Sequence, residues 1–125
     1  TLDLIPAPCI NYQAGITPKY RGQHPAYWAL ANGDATNAGV TIHLVDAGVD
    51  TGDVIYQKRV TFDDRDTILT YQWVQLVEAL PLFELAIEDA LDGKLTPQKI
   101  DLPSEMFFPP TIWGYIKTGF TKGIW

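Results

Sequence analysis

Between Gly39 and Asp46 apolar and polar residues alternate: Val40, Ile42 and Leu44 fall on one side of an extended chain, and Thr41, His43 and Val45 on the other. A period of two fits a strand and excludes a helix over this stretch. After the loop Ala47 to Gly52, residues Asp53 to Phe62 are rich in Val, Ile, Tyr and Thr, which suit a pleated surface. The two segments predict a β-hairpin, and the flanking chain must then supply what covers it.

That cover is written downstream. Leu69, Trp73, Leu76, Val77, Leu80, Phe83, Ile87 and Leu91 recur at steps of three and four, predicting an amphipathic helix over 67–92 that stops near Gly93. An acidic residue before Thr67 suits its N-cap, and Pro81 predicts a kink by removing one backbone bond. Upstream, Pro25 can occupy the first helical position and Asn32-Gly33 supplies a stop, so a short helix is expected over 25–32. Pro6 and Pro8 restrict regular structure before it to a strand near Cys9 to Tyr12. From Thr96 to Trp125 bulky residues cluster without one sustained period, which predicts an irregular aromatic-rich tail at 96–125 packed on the domain or on a partner subunit.

The 125 residues suffice for one core. A formal charge of -6 argues against broad contact with a nucleic-acid backbone, which needs clustered Lys and Arg. The single cysteine, Cys9, has no Cys partner for a disulfide or a zinc site and reads as a small buried hydrophobe. No apolar run approaches the roughly 18 to 20 residues of a membrane span, and a cytoplasmic location is the default expectation.

Polar side chains concentrate at the ends of the stretch from Asn11 to Asp50. In an extended segment Asn11 and Gln13 face the same side, about 6.5 to 7 Å apart, as amides able to donate to a developing oxyanion. Asp50 lies on the loop after the first hairpin strand, between Gly48 and Gly52. An amide pair opposite a carboxylate suits addition of an amine to a carbonyl, with the amides holding the oxyanion and the carboxylate accepting a proton. Taken without context, such residues in Gly-rich loops are more often turn formers than chemists. His43 reads as a buried, hydrogen-bonded histidine, His24 as a helix-start residue, and Lys19 and Arg21 as solvated bases.

The ordered run Asn11 to Gly22, His24-Pro25, Trp28-Ala29-Leu30, Asn32-Gly33-Asp34, Gly39-Val40-Thr41-Ile42-His43 and Val49-Asp50-Thr51-Gly52-Asp53 resembles the folate-dependent formyltransferases. The resemblance spans Ile10 to about Gly93 and does not choose among family members. It implies an α/β fold with a partial Rossmann-type sheet, a β-hairpin and one long packing helix. It also implies transfer of a formyl group from 10-formyltetrahydrofolate to a substrate amine without a metal, with Asn11 and Asp50 matching the family's catalytic Asn and Asp, and Val45, Asp46 and Asp50 beside the folate.

Two departures qualify it. The family's catalytic His falls at position 13, where this chain has Gln13, a side chain that can donate to an oxyanion but cannot carry a proton at neutral pH. Family members also place several β-α units before the Asn, so residues 1–95 are expected to match the second half of the catalytic domain. The alternative is a noncatalytic formyltransferase-like module for binding or oligomerisation. An edge left open beside Asn11 would favour a homodimer.

Overall fold

A computed structural model describes residues 4–125. Three strands form the main sheet: β1 (Ile10–Gln13), β3 (Gly39–Leu44) and β4 (Val54–Arg59), in the order β1-β3-β4 with both pairings antiparallel. The expected hairpin is therefore present as β3 and β4. It carries a bulge between Ile42 and His43, where the register shifts from Ile42 opposite Tyr56 to His43 opposite Val54. Bulges bend a strand and re-aim its side chains. This one sits immediately before the loop that carries Asp50.

The alternation in β3 marks two buried faces rather than one. Val40 and Ile42 are fully buried, and so are Thr41 and His43 on the opposite face. On the first face Val40 packs with Val60, Ala79 and Tyr12. On the second, Thr41 Oγ1 donates to Gly15 O at 2.7 Å and accepts from Thr17 N and Gln57 Nε2. The segment between β1 and the short strand β2 (Arg21–Gly22) is thus fastened over the polar face by hydrogen bonds.

Helix α1 (Pro25–Ala31) follows β2, with Pro25 at its start as expected and His24 entering it in the left-handed conformation at φ 52°. Helix α2 spans Tyr71–Leu91 with Pro81 inside it. Its first turn begins after Thr70, four residues later than expected from Thr67, because Thr67 to Thr70 close a turn of their own in which Thr70 Oγ1 donates to Asp66.

The face that α2 turns to the sheet corrects the sequence expectation. Trp73, Val77, Leu80 and Leu91 are more than half exposed, while Tyr71, Gln75, Ala79 and Ala86 are buried. Small residues let the helix approach β3 closely, and Gln75 Nε2 donates to Ala14 O and to Gly39 O, both at 2.7 Å. A buried amide that meets two carbonyls at once satisfies both of its hydrogens.

The tail is also more regular than expected. Strand β5 (Met106–Phe107) pairs parallel with β2, and Ile112–Lys122 is helix α3, not irregular chain. Thr111 caps α3 by accepting from Gly114 N, and Gly123 ends it at φ 69°. The Trp125 ring lies over Gly119 so closely that a Cβ there would fall 2.3 Å from it. Phe107 stacks on Tyr20 and Trp28 at 5.2 and 5.5 Å between ring centroids, and Trp28 Nε1 donates to Phe108 O. The tail is fastened to this chain's own α1 and β2.

Candidate active site

The β1–β3 register sets Asn11 opposite His43. Asn11 Nδ2 lies 3.4 Å from His43 Nε2, and the other ring nitrogen, Nδ1, lies 2.8 Å from Leu44 O. A carbonyl oxygen only accepts, so Nδ1 carries a hydrogen, and in its neutral form the ring presents a lone pair at Nε2. Asp50 Oδ1 faces that same nitrogen at 3.8 Å. Asn11, His43 and Asp50 form one polar cluster.

Gly22 closes it from the side. Its N–H lies 3.4 Å from Asp50 Oδ2, and its carbonyl accepts from Gln13 Nε2 at 3.2 Å. Glycine is required here: φ is 90°, and a Cβ would fall 2.3 Å from Phe107 O. The β2–β5 pairing in the tail therefore holds the backbone that orients both Gln13 and Asp50. Of the expected site residues, Asn11, Gln13 and Asp50 do come together, with Gln13's amide engaged by Gly22.

The loop after β3 is built to hold Asp50 up. Asp46 Oδ1 accepts from Gly48 N and from Thr51 Oγ1 at 2.9 and 2.7 Å, and these bonds hold its carboxyl below the usual carboxylate range. Gly52 approaches Leu44 O so closely that a Cβ would stand 1.6 Å from it. Arg21 donates to Val49 O at 2.9 Å, tying the loop to β2, and Asp50 itself takes φ 52°, a strained setting for a non-glycine residue. Val45 is 39% exposed and Val49 58%, so the loop's rim is apolar while its root is polar.

Such a rim fits the flat, partly apolar ring of a folate, and an amide donor beside a carboxylate fits the formyl group that 10-formyltetrahydrofolate supplies when bound. Asp46 faces its own loop, and its carboxylate is used there. Among the described residues no group of three or more His, Cys, Asp or Glu could hold a metal ion.

His43 is the site residue that sequence reasoning placed only in the structure's interior. It is buried and hydrogen-bonded as expected, yet its free nitrogen faces both Asn11 and Asp50. The signal lay in the pairing of β1 with β3, which no local pattern records. Lys19 belongs elsewhere, paired with Asp34 at 2.5 Å.

A family model described as formyl transferase matches residues 1–78. The chain is 38% identical over 90 residues to a methionyl-tRNA formyltransferase from Thermodesulfovibrio yellowstonii, a match covering 72% of this chain and 29% of that relative. Among solved structures, a 4-N formyltransferase from Francisella tularensis superposes with a TM-score of 0.71 at 27% identity, covering 88% of this chain and 43% of that one. A formyltransferase from Anoxybacillus kamchatkensis, in complex with UDP-4,6-dideoxy-4-formamido-L-AltNAc and tetrahydrofolate, superposes with a TM-score of 0.69 at 28% identity over 78% of this chain and 51% of its own. This chain spans under a third of the length of the methionyl-tRNA formyltransferase it matches. On the family match and these relatives together, it belongs to the formyl transferase family.

Proposed function

We propose that residues 1–95 are the second half of a formyltransferase catalytic domain, working with the formyl donor 10-formyltetrahydrofolate and a small-molecule amine as acceptor, and that 96–125 is an aromatic tail bracing it. The observation that carries this reading is the convergence of the Asn11 amide and the Asp50 carboxylate on one polar cluster in a chain of this family. In the proposed roles, Asn11 donates to the oxygen that gains charge, Asp50 accepts the amine's proton, and Gln13 fixes Gly22 and can supply a second amide. Val45 and Asp50 border the folate, with Asp46 shaping the loop between them through Gly48 and Thr51. The tetrahydrofolate in the Anoxybacillus formyltransferase complex supports this choice of donor.

The relatives include formyltransferases for a nucleotide-linked sugar, for glycinamide ribonucleotide and for methionyl-tRNA. The formal charge of -6 favours a small molecule, since tRNA backbone contact draws on clustered positive charge. A cytoplasmic location and a homodimer complete the proposal. The dimer would cover exposed Trp73, Val77 and Leu80 on α2 or Trp113 and Phe120 on α3. The alternative, a noncatalytic binding or oligomerisation module, draws its support from Gln13 standing where the family pattern has an imidazole.

Formyl transfer from 10-formyltetrahydrofolate to a panel of amino sugars and to methionyl-tRNA, followed in the intact protein and in Asp50→Asn, tests the reading. Transfer to a small amine that vanishes in the variant supports it. Equal transfer by both proteins would overturn the assignment of Asp50. Solution scattering of a monomer with no buried apolar surface between copies would overturn the dimer.

A further inference from the structure

The proton that Asp50 accepts needs somewhere to go, and Gln13 cannot take it because an amide does not carry a proton at neutral pH. The chain has two histidines. His24 lines a separate small hollow with Tyr27, Ile68 and Tyr71. His43 Nε2 faces Asp50 Oδ1 at 3.8 Å and Asn11 Nδ2 at 3.4 Å, and with the Nδ1 hydrogen directed at Leu44 O the neutral form of the ring leaves Nε2 bare. The charged side chains around this cluster are Asp50 and Asp46 on the loop after β3, and Arg21 on β2, whose guanidinium bonds to Val49 O. From β1 the neutral Asn11 and Gln13 face it, and from β4 the apolar Val54.

We propose that His43 is a positioning residue that stores the proton handed to Asp50 and, through the same nitrogen, orients Asn11. This inference rests on the formyl-transfer reading. While Nε2 is bare, it accepts one N–H of Asn11 and leaves the other directed at the site. The amine's lone pair forms the bond to the formyl carbon, the carbonyl electron pair moves onto oxygen, and Asn11 donates to that oxygen. The amine's proton passes to Asp50 and from Asp50 to Nε2. The new Nε2–H donates to Asp50 and can no longer accept from Asn11, so both amide hydrogens become free when the oxyanion is most charged. As the bond from the formyl carbon to the donor nitrogen breaks, the oxygen's pair restores the carbonyl, and the proton returns by way of Asp50 to the departing nitrogen. Ring and carboxylate finish as they began.

A structural histidine and a proton-storing one respond differently to an imidazole restored nearby. In the intact protein, His43→Gln is expected to lower kcat about 10²-fold, the scale of general acid-base help, with KM within about twofold. Adding Gln13→His to that variant is expected to recover about tenfold or more of the loss. No recovery, or transfer that persists undiminished in His43→Gln, overturns the proposal. Nitrogen NMR on the unsubstituted protein gives a second measurement independent of whether the variant folds. At alkaline pH the expected ring carries its hydrogen on Nδ1, and Asn11→Ala displaces the Nε2 resonance. Hydrogen on Nε2, or no displacement, overturns the proposal. Absence of transfer in the parent and in Gln13→His, with the expected NMR pattern present, overturns the formyl-transfer reading itself.

Discussion

The chain's large hollow and its chemically equipped cluster are different places. A cleft of about 610 Å³ lies between the chain after β4 and the end of α3, bordered by Arg59, Phe62, Asp63, Asp66 and Tyr71. Its polar groups serve local structure: Arg59 donates to Thr36 O, Asp63 holds Arg65, and Asp66 accepts from Thr70. The cluster at Asn11, His43 and Asp50 lies outside that cleft, yet it sets an amide, a ring nitrogen and a carboxylate against one another. Volume is a useful default guide to a site. Here convergent donors and acceptors outweigh it.

Substitutions can break this contrast. Asp50→Asn should reduce formyl transfer in the intact protein by about 10² to 10⁴, whereas Asp64→Asn in the large cleft should change it less than about twofold, since surface substitutions away from special features act weakly. Initial rates with saturating donor measure both, and equal effects would erase the distinction. Next in size, Gln13→His should raise kcat by up to about 10²-fold by restoring an imidazole beside Gly22. A rate no higher than the parent's would place the proton path wholly in other groups.

The scaffold beneath the site responds in stability. Ile42 is fully buried in β3 beside the bulge, and Ile42→Ala should cost about 2 to 5 kcal/mol through lost packing and a residual cavity. Leu91→Ala on the outer face of α2, 82% exposed, should cost less than about 0.5 kcal/mol. Urea unfolding compares the two, and a large loss at Leu91 would mean that the outer face is covered in solution.

The smallest expected effect concerns Asp34, just after α1, and its partners Lys19 and Tyr20. Partial burial opposes ionisation of Asp34, but Lys19 and hydrogen bonds from Asn37 and Tyr20 outweigh it and hold the carboxyl below its ordinary value. A folded value below the unfolded one gives stability that is present above the ordinary 3.8 and is lost as pH falls further. Burial first, and Asp34 second, push the Tyr20 phenol up to about 12. That contribution is present below 10.0 and is lost as pH rises from there towards about 12. Denaturant midpoints against pH should therefore flatten at the acid end in Asp34→Asn and at the alkaline end in Tyr20→Phe, with the middle of the profile unchanged in slope.

How far the sequence was legible follows from how local each signal is. The hairpin came from a two-residue period, and α1 from Pro25 at its start and Asn32-Gly33 at its stop. These signals act within a few residues, and the structure matches them. The length of α2 was nearly right, but its inner face was not. Bulky apolar residues suggested the buried side, while the packing distance to β3 selected Gln75, Ala79 and Ala86. Helix α3 was missed because Gly114, Gly119 and the β-branched Ile112, Ile116 and Thr118 weaken a helical pattern. Gly119 is explained only by the Trp125 ring over it. At the site, Asn11, Gln13 and Asp50 were legible as residue types on the right segments. The place of His43 between Asn11 and Asp50 was not, since it depends on a pairing between strands 32 positions apart.

The central claim is that this cluster handles a folate-borne formyl group. Isothermal titration of a non-transferring 10-formyltetrahydrofolate analogue into the protein and into Gln13→His tests it directly. Saturable binding by both, with formyl transfer from the natural donor stronger in Gln13→His, is the expected result. Absence of binding by either protein would contradict the claim.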